Sequence, residues 1–156
     1  MRGRFFLYSL LSGVLFFLAW PVKGFPFLLF IAFVPLLMIQ HQISIDKRLR
    51  ARHLFLYSYI VFLLWNIGAT WWVAAIHTGQ EAAYMAFGAN SLLMAFTFLV
   101  YHKVKRALPE RYGTFAIIPI WIAFEYLHLD WDLTWPWLTL GNGFASWNEC
   151  VQWYEY

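Results

Sequence analysis

Long apolar stretches alternate with short polar ones along this chain. Five apolar runs stand out, at residues 5–20, 25–40, 54–76, 82–101 and 114–129. An α-helix rises about 1.5 Å per residue, so a hydrocarbon core of about 30 Å needs roughly 20 residues. The third and fourth runs meet that length directly. The other three, at 16 residues each, are completed by interfacial neighbours: Arg4, whose long stem snorkels to water, and residues 21–24. Their shortness leaves a re-entrant hairpin open as a second arrangement for the first two. The pattern predicts an all-α, polytopic membrane helix bundle of about five transmembrane helices over residues 1–129.

Charge gives the bundle a direction. Ten of the eleven Lys and Arg residues fall in three short stretches beside apolar runs: Arg2 and Arg4; Lys47, Arg48, Arg50 and Arg52; and Lys103, Lys105, Arg106 and Arg111. Only Lys23 lies outside them. Cationic loops resist translocation and collect in the cytoplasm. If all five runs span, the amino terminus and the loops at 41–53 and 102–113 share that side. The other side receives residues 21–24, 77–81 and everything after about Leu129, with Lys23 against Glu81, Asp130, Asp132, Glu149 and Glu155. The amino terminus is therefore expected inside and the carboxyl end outside.

Composition agrees, since 62% of residues are hydrophobic and 12% charged, against about 25% charged in soluble domains. The net charge of +3 is spread between apolar runs rather than over one face, so it reads as topology and not as a nucleic-acid surface. The opening Met1-Arg2-Gly3-Arg4 resembles a signal-peptide head, but Leu18-Ala19-Trp20-Pro21 offers no small-x-small cleavage pair, so the first run reads as an uncleaved helix. The single cysteine, Cys150, permits no intrachain disulfide.

Within the runs, Ala82, Ala86, Ala89 and Asn90 form a small-residue stripe expected to be buried against another helix. Asn66 sits near the middle of the third run, where its amide needs a partner on another helix. Residues 130–156 do not fit a sixth span: they hold Asp130, Asp132, Pro136, Gly141, Asn142, Gly143 and Glu149. Trp131, Trp135, Trp137, Trp147 and Trp153 suit the headgroup level, because an indole pairs an apolar ring with a polar N–H. The segment reads as an extracytoplasmic interfacial loop. Its end, at Trp153-Tyr154-Glu155-Tyr156, has neither a helix stop nor a polar tail, and reads as a chain cut before a further domain.

Few residues could carry chemistry. Glu125 is the one acidic residue inside a predicted span, a functional suspect by default. Near the outer end of its run, it can reach interfacial water or pair with His128 one turn on, and an orienting role is the simpler reading. His128, Asp130 and Asp132 alternate, but lack the ligand number and spacing of a metal site. His41, His53, His77 and His102 end apolar runs and read as interfacial. Cys150 follows Glu149, the wrong sign to favour a thiolate. No Gly-x-Ser-x-Gly elbow, phosphate loop, dinucleotide fingerprint or His-Glu-x-x-His pair occurs. The reading is no catalytic residue, no metal and no cofactor. In Trp135-Pro136-Trp137-Leu138 the proline holds Trp135 extended between two indoles. Gly141 and Gly143 beyond it allow tight turns or close approach by an acyl chain.

The order of these motifs resembles the amino-terminal membrane portion of bacterial apolipoprotein N-acyltransferases. Leu18-Ala19-Trp20-Pro21 with Gly24-Phe25 resembles the family's first apolar hairpin and its connector, and Phe33-Val34-Pro35-Leu36-Leu37 its Val-Pro-Leu-Leu. Gly68 to Val73, with Trp71-Trp72, sits where the family has a glycine followed by Tyr-Trp. Trp121 with Glu125, then Thr134-Trp135-Pro136-Trp137-Leu138-Thr139-Leu140-Gly141, is similar to the family's Trp and Glu followed by Thr-Gly-Phe-Pro-Trp-Leu and a glycine. Trp135 replaces the usual Phe, Asn142 stands where Tyr is common, and Leu127-His128 replaces an arginine.

The resemblance implies a multi-pass protein of the bacterial inner membrane that moves a fatty acyl chain from a phospholipid to the amino group of an apolipoprotein's diacylglyceryl-cysteine. It also implies a thioester on the cysteine of a Glu-Lys-Cys nitrilase-like site, a motif that Cys150 does not match. The fragment alone is then expected to be inactive. Trp135, Pro136, Trp137, Gly141 and Glu125 are the residues expected to shape the substrate entrance. A small transporter or channel subunit, or a structural membrane subunit, remains as the alternative. A transporter would usually place ionisable or broken-helix features at the bilayer centre, where this chain offers only Asn66.

Overall fold

The computed structural model describes residues 2–20, 24–46, 48–75 and 80–152. Expectations attached to Lys23, Lys47, His77, Trp153, Glu155 and Tyr156 concern positions outside these. Among the described residues every regular element is helical: α1 (Arg2–Ala19), α2 (Leu29–Ala32), α3 (Val34–Ile45), α4 (Ala51–Thr70), α5 (Gln80–Ala107), α6 (Glu110–Phe115), α7 (Ile117–Leu129) and α8 (Asn148–Val151). Short 3-10 turns cover Pro26–Leu28, Trp71–Ala75, Pro136–Leu138 and Leu140–Phe144.

Two prolines explain why single apolar runs fold as pairs of helices. Pro35 has no N–H to give the carbonyl of Ile31, and Pro119 none for that of Phe115. The breaks fall within the turn before each proline, at Phe33 between α2 and α3 and at Ala116 between α6 and α7. Each pair still continues as one apolar rod, Pro26–Ile45 and Glu110–Leu129, of 20 residues. With Ala51–Ala75 and Gln80–Ala107, four helices among the described residues are long and apolar enough to cross a membrane, while Gly3–Ala19 is a shorter apolar helix. The five expected runs are thus five rods, the first below full spanning length. The fourth rod exceeds its expected run because Lys103, Lys105 and Arg106 extend α5, where cations suit the carbonyl end of a helix, until Pro109 stops it.

The rods alternate in direction. Arg4 of α1, His41 of α3, Lys105 of α5 and Glu110 of α6 line one cavity, so those four helix ends lie together. At the opposite end, Phe25 meets Trp147 at 5.9 Å, Trp72 meets Trp137 at 5.3 Å, and Phe87 meets Trp135 at 6.2 Å between ring centroids. The turn after α1 therefore reaches the end that carries the Trp-rich segment, and the first two rods traverse the bundle rather than dipping partway. α1 runs parallel to α4, with Phe5 against Tyr57 and Phe16 stacked on Trp65 at 4.4 Å.

Glycine permits that contact. A Cβ on Gly13 would lie 2.8 Å from Leu64 Cβ, and one on Gly68 2.6 Å from the ring of Phe17. Phe16, Leu36, Phe62, Trp65, Phe98 and Tyr101 fill the interior. Large apolar side chains also cover much of the outer surface: Tyr126, Phe30 and Met85 are 79%, 73% and 71% exposed. Such a surface is a liability in water and a match for lipid.

The buried hydroxyls of Ser and Thr are satisfied largely within their own helices. Ser9, Ser58, Thr70, Ser91 and Thr97 each donate to the carbonyl four residues back. Asn66 finds its expected partner: Asn90 Nδ2 donates to Asn66 Oδ1 at 2.7 Å, joining α4 to α5. The small-residue stripe is a correction. Ala82 and Ala89 are exposed, and α5 instead buries Ala83, Phe87, Asn90, Ser91 and Met94. The amide pair, not the smallest side chains, sets the rotation of α5, because an unpartnered Asn in an apolar bundle costs more than an exposed alanine.

Gly13→Leu is expected to lower the stability of the protein by about 1–3 kcal/mol, read as a reduced thermal midpoint in detergent. An unchanged midpoint would show that α1 and α4 do not pack at this distance.

Candidate functional site

Glu125 is the organising side chain at the Trp-rich end. It lies on α7 one helical turn after Trp121, whose indole Nε1 donates to Glu125 Oε1 at 2.9 Å. The same oxygen accepts the backbone N–H of Leu140 at 2.8 Å. The carboxylate thus meets one donor from its own helix and one from the segment 15 residues on, tying residues 135–144 onto α7. The pairing with His128 is replaced. His128 Nδ1 accepts from Trp131 Nε1 at 2.9 Å, and its ring stacks on Phe124.

The segment after α7 is a packed cap with its own internal bonds. Pro136 opens the 3-10 turn Pro136–Leu138, with Trp135 at φ −139° as the extended residue before it. Leu138 is buried in the bundle, while Trp137 stays half exposed and meets Trp72 edge-on. Asn142 Nδ2 donates to the Pro136 carbonyl at 2.8 Å, closing the turn. A Cβ at Gly143 would lie 2.5 Å from Leu29 Cδ1, so a side chain there would have to displace that methyl group of the second rod. Gly141 is exposed, with nothing within 4 Å of where a Cβ would stand.

Two open apolar cavities flank this cap. One, of about 580 Å³, lies between Phe27, Phe30, Phe33, Leu140, Gly141 and Phe144. The other, of about 300 Å³, lies between Phe33, Ile118, Trp121, Ile122, Glu125 and Leu140. Phe33 and Leu140 border both, so the two lie side by side as a trough in two parts, the larger lined by aromatic rings and the smaller bordered by Glu125. A larger share of polar atoms marks the cavity at the basic end, of about 440 Å³.

Of the expected site residues, Glu125 and Gly141 line this trough, whereas Trp135 turns to the other side of the cap, against Phe87. Pro136 and Trp137 lie on the turn between. Phe27, Phe30, Phe33 and Phe144 were not anticipated, since they carry no polar signature and become a site only when the first hairpin meets the cap. Among the described residues no group of three His, Cys, Asp or Glu side chains is arranged to hold a metal ion.

The family model of the apolipoprotein N-acyltransferase N-terminal domain matches residues 12–156. The apolipoprotein N-acyltransferase of Chlorobaculum tepidum is 31% identical over 144 residues, which cover 90% of this chain and 26% of that protein. The chain spans about a quarter of the length of that relative. No solved structure matches it significantly.

Glu125→Ala is expected to speed hydrogen exchange at the Leu140 amide by about tenfold or more, the loss of a hydrogen bond to a charged group being worth about 1.5–3 kcal/mol. Glu125→Gln, which keeps an acceptor oxygen, should change it far less. Equal exchange in both variants and the unmodified protein, measured by mass spectrometry, would remove Glu125 as the tether.

Proposed function

The chain belongs to the apolipoprotein N-acyltransferase family, over the region of its N-terminal domain, and from that membership we propose that it is the membrane-embedded, substrate-access module of such an acyltransferase. In this reading the acyl donor is a membrane phospholipid, the acceptor is the amino-terminal diacylglyceryl-cysteine of an apolipoprotein, and the module sits in the bacterial inner membrane with its amino terminus in the cytoplasm. The loops rich in Lys and Arg then face inward and the Trp-rich cap faces outward. Family membership favours this reading over the transporter and structural-subunit alternatives.

The observation that carries the proposal is the trough beneath the cap. An acyl chain needs an apolar slot open to the bilayer from the side, and a reacting headgroup needs a polar rim. The rings of Phe27, Phe30, Phe33 and Phe144 supply the slot, with Glu125 at its inner wall and the exposed turn at Trp137 as the rim. The slot acts by position: it brings the ester linkage to the outer membrane surface while the chain stays solvated by protein and lipid. Tight closure of the cap at Gly143 against Leu29 leaves Gly141 free to let a chain or peptide approach the backbone.

The chemical step calls for a nucleophile held as a thiolate beside a base. Cys150 borders the trough, yet Glu149 beside it is the wrong charge to favour a thiolate, and its surroundings do not match the family's Glu-Lys-Cys motif. By this reading these 156 residues position substrates and carry no catalysis of their own.

Trp137→Ala, made in the protein as the cell produces it, should reduce lipoprotein N-acylation by about fivefold or more, in the range of a lost aromatic anchor, and leave the amount inserted in the membrane nearly unchanged. Unaltered acylation at normal abundance would withdraw the role of the cap.

A further inference from the structure

A second feature lies on the inner side of the cap, where Glu125 borders both it and the trough. Three buried polar atoms there find no protein partner among the described residues: Asn90 Oδ1 on α5, His128 Nε2 on α7 and Trp135 Nε1 at the start of the turn. Asn90 and His128 are only 4% and 5% exposed. All three residues, with Glu125 and Thr139, line one small cavity that offers about 10 Å³ to the centre of a water-sized sphere, close to the room one water needs.

The hydrogen-bond polarity of each atom is set by its neighbours. The Phe62 carbonyl can only accept, so Asn66 turns its Nδ2 to it at 2.9 Å and presents Oδ1 to Asn90. Asn90 must therefore spend Nδ2 on Asn66 at 2.7 Å, which leaves its Oδ1, an acceptor, for the cavity. On the other wall, the Trp131 indole can only donate, so His128 Nδ1 is the acceptor of that bond at 2.9 Å. A neutral imidazole then carries its proton on Nε2, a donor. The Trp135 indole is likewise a donor only. Two donors and one acceptor thus belong to residues that line the same small cavity.

We propose that a single buried water molecule occupies this cavity and pins the cap to α5 and α7. Its two lone pairs accept from His128 Nε2–H and Trp135 Nε1–H, and one of its hydrogens goes to Asn90 Oδ1. The second hydrogen is left for the Glu125 carboxylate or the Thr139 hydroxyl oxygen. No metal cation suits the place, because two N–H groups point their hydrogens at it. The water extends the Asn66–Asn90 pair into a continuous path from the Phe62 carbonyl on α4 to Trp135 on the cap. This inference stands on the orphaned atoms alone and does not depend on the acyltransferase reading.

The test is magnetic resonance on the protein as the cell makes it, labelled with ¹⁵N-indole tryptophan in nanodiscs. The Trp135 indole proton is identified as the resonance that Trp135→Phe removes. It should show magnetisation transfer to water with the opposite-signed laboratory-frame and rotating-frame effects of a long-lived bound molecule. A resolved, slowly exchanging Trp135 indole proton with no such transfer overturns the proposal. If W135F does not accumulate, a density map of the unmodified protein decides: a round peak at about 2.7–3.2 Å from the three atoms supports the water, whereas direct contact between them with no peak refutes it.

Discussion

A polar group placed in hydrocarbon must find its partner inside the protein, and this constraint arranges the bundle. Glu125 is its most demanding case, a carboxylate on an apolar rod, and both of its donors come from elements that would otherwise be loosely placed: the Trp121 ring and the Leu140 backbone. The cap is folded down onto α7 because the carboxylate has nowhere better to turn. The same rule sets the rotation of α5 through the Asn66–Asn90 pair and leaves two apparent small-residue contacts, Ala82 and Ala89, facing outward. Hydroxyls obey it most cheaply, by bonding to their own helix.

Packing then acts inside the frame that polarity fixes. Phe16 stacked on Trp65 and Phe62 beside Trp121 fill the centre, and Gly13 and Gly68 let α1 approach α4. Where the first hairpin meets the cap, Gly143 allows Leu29 in, and the aromatic rings of the second rod are left lining a trough rather than a sealed core. The proposed lipid-access role rests on that incomplete closure together with family membership, and not on any reactive side chain.

Much of this was legible in the sequence. The five rods follow from the apolar runs, the need of Asn66 for an interhelical partner from its depth, and the family from the ordered motifs around Trp121, Glu125 and Trp135-Pro136-Trp137-Leu138. What escaped is non-local. The bond from Leu140 to Glu125 involves a backbone N–H, which every residue has, so no spacing announces it. The Glu125–His128 pair gives way to other partners, since Glu125 Oε1 takes its donors from Trp121 and Leu140 while His128 Nδ1 takes one from Trp131. The Phe27, Phe30, Phe33 and Phe144 trough belongs to two segments more than 100 positions apart, and their apolar pattern is that of any membrane helix. Proline breaks at Phe33 and Ala116 were readable from Pro35 and Pro119 but hidden by treating each run as one rod.

The central claim is that the basic helix ends and the cap lie on opposite faces of the membrane, the cap outside. Single cysteines placed at Arg48, Lys103 and Asp132 in a Cys150→Ser background test it with a membrane-impermeant maleimide applied to spheroplasts. The account predicts labelling of Asp132→Cys in sealed spheroplasts, and of Arg48→Cys and Lys103→Cys only after lysis. Labelling of Arg48→Cys or Lys103→Cys from outside, or protection of Asp132→Cys until lysis, would contradict it.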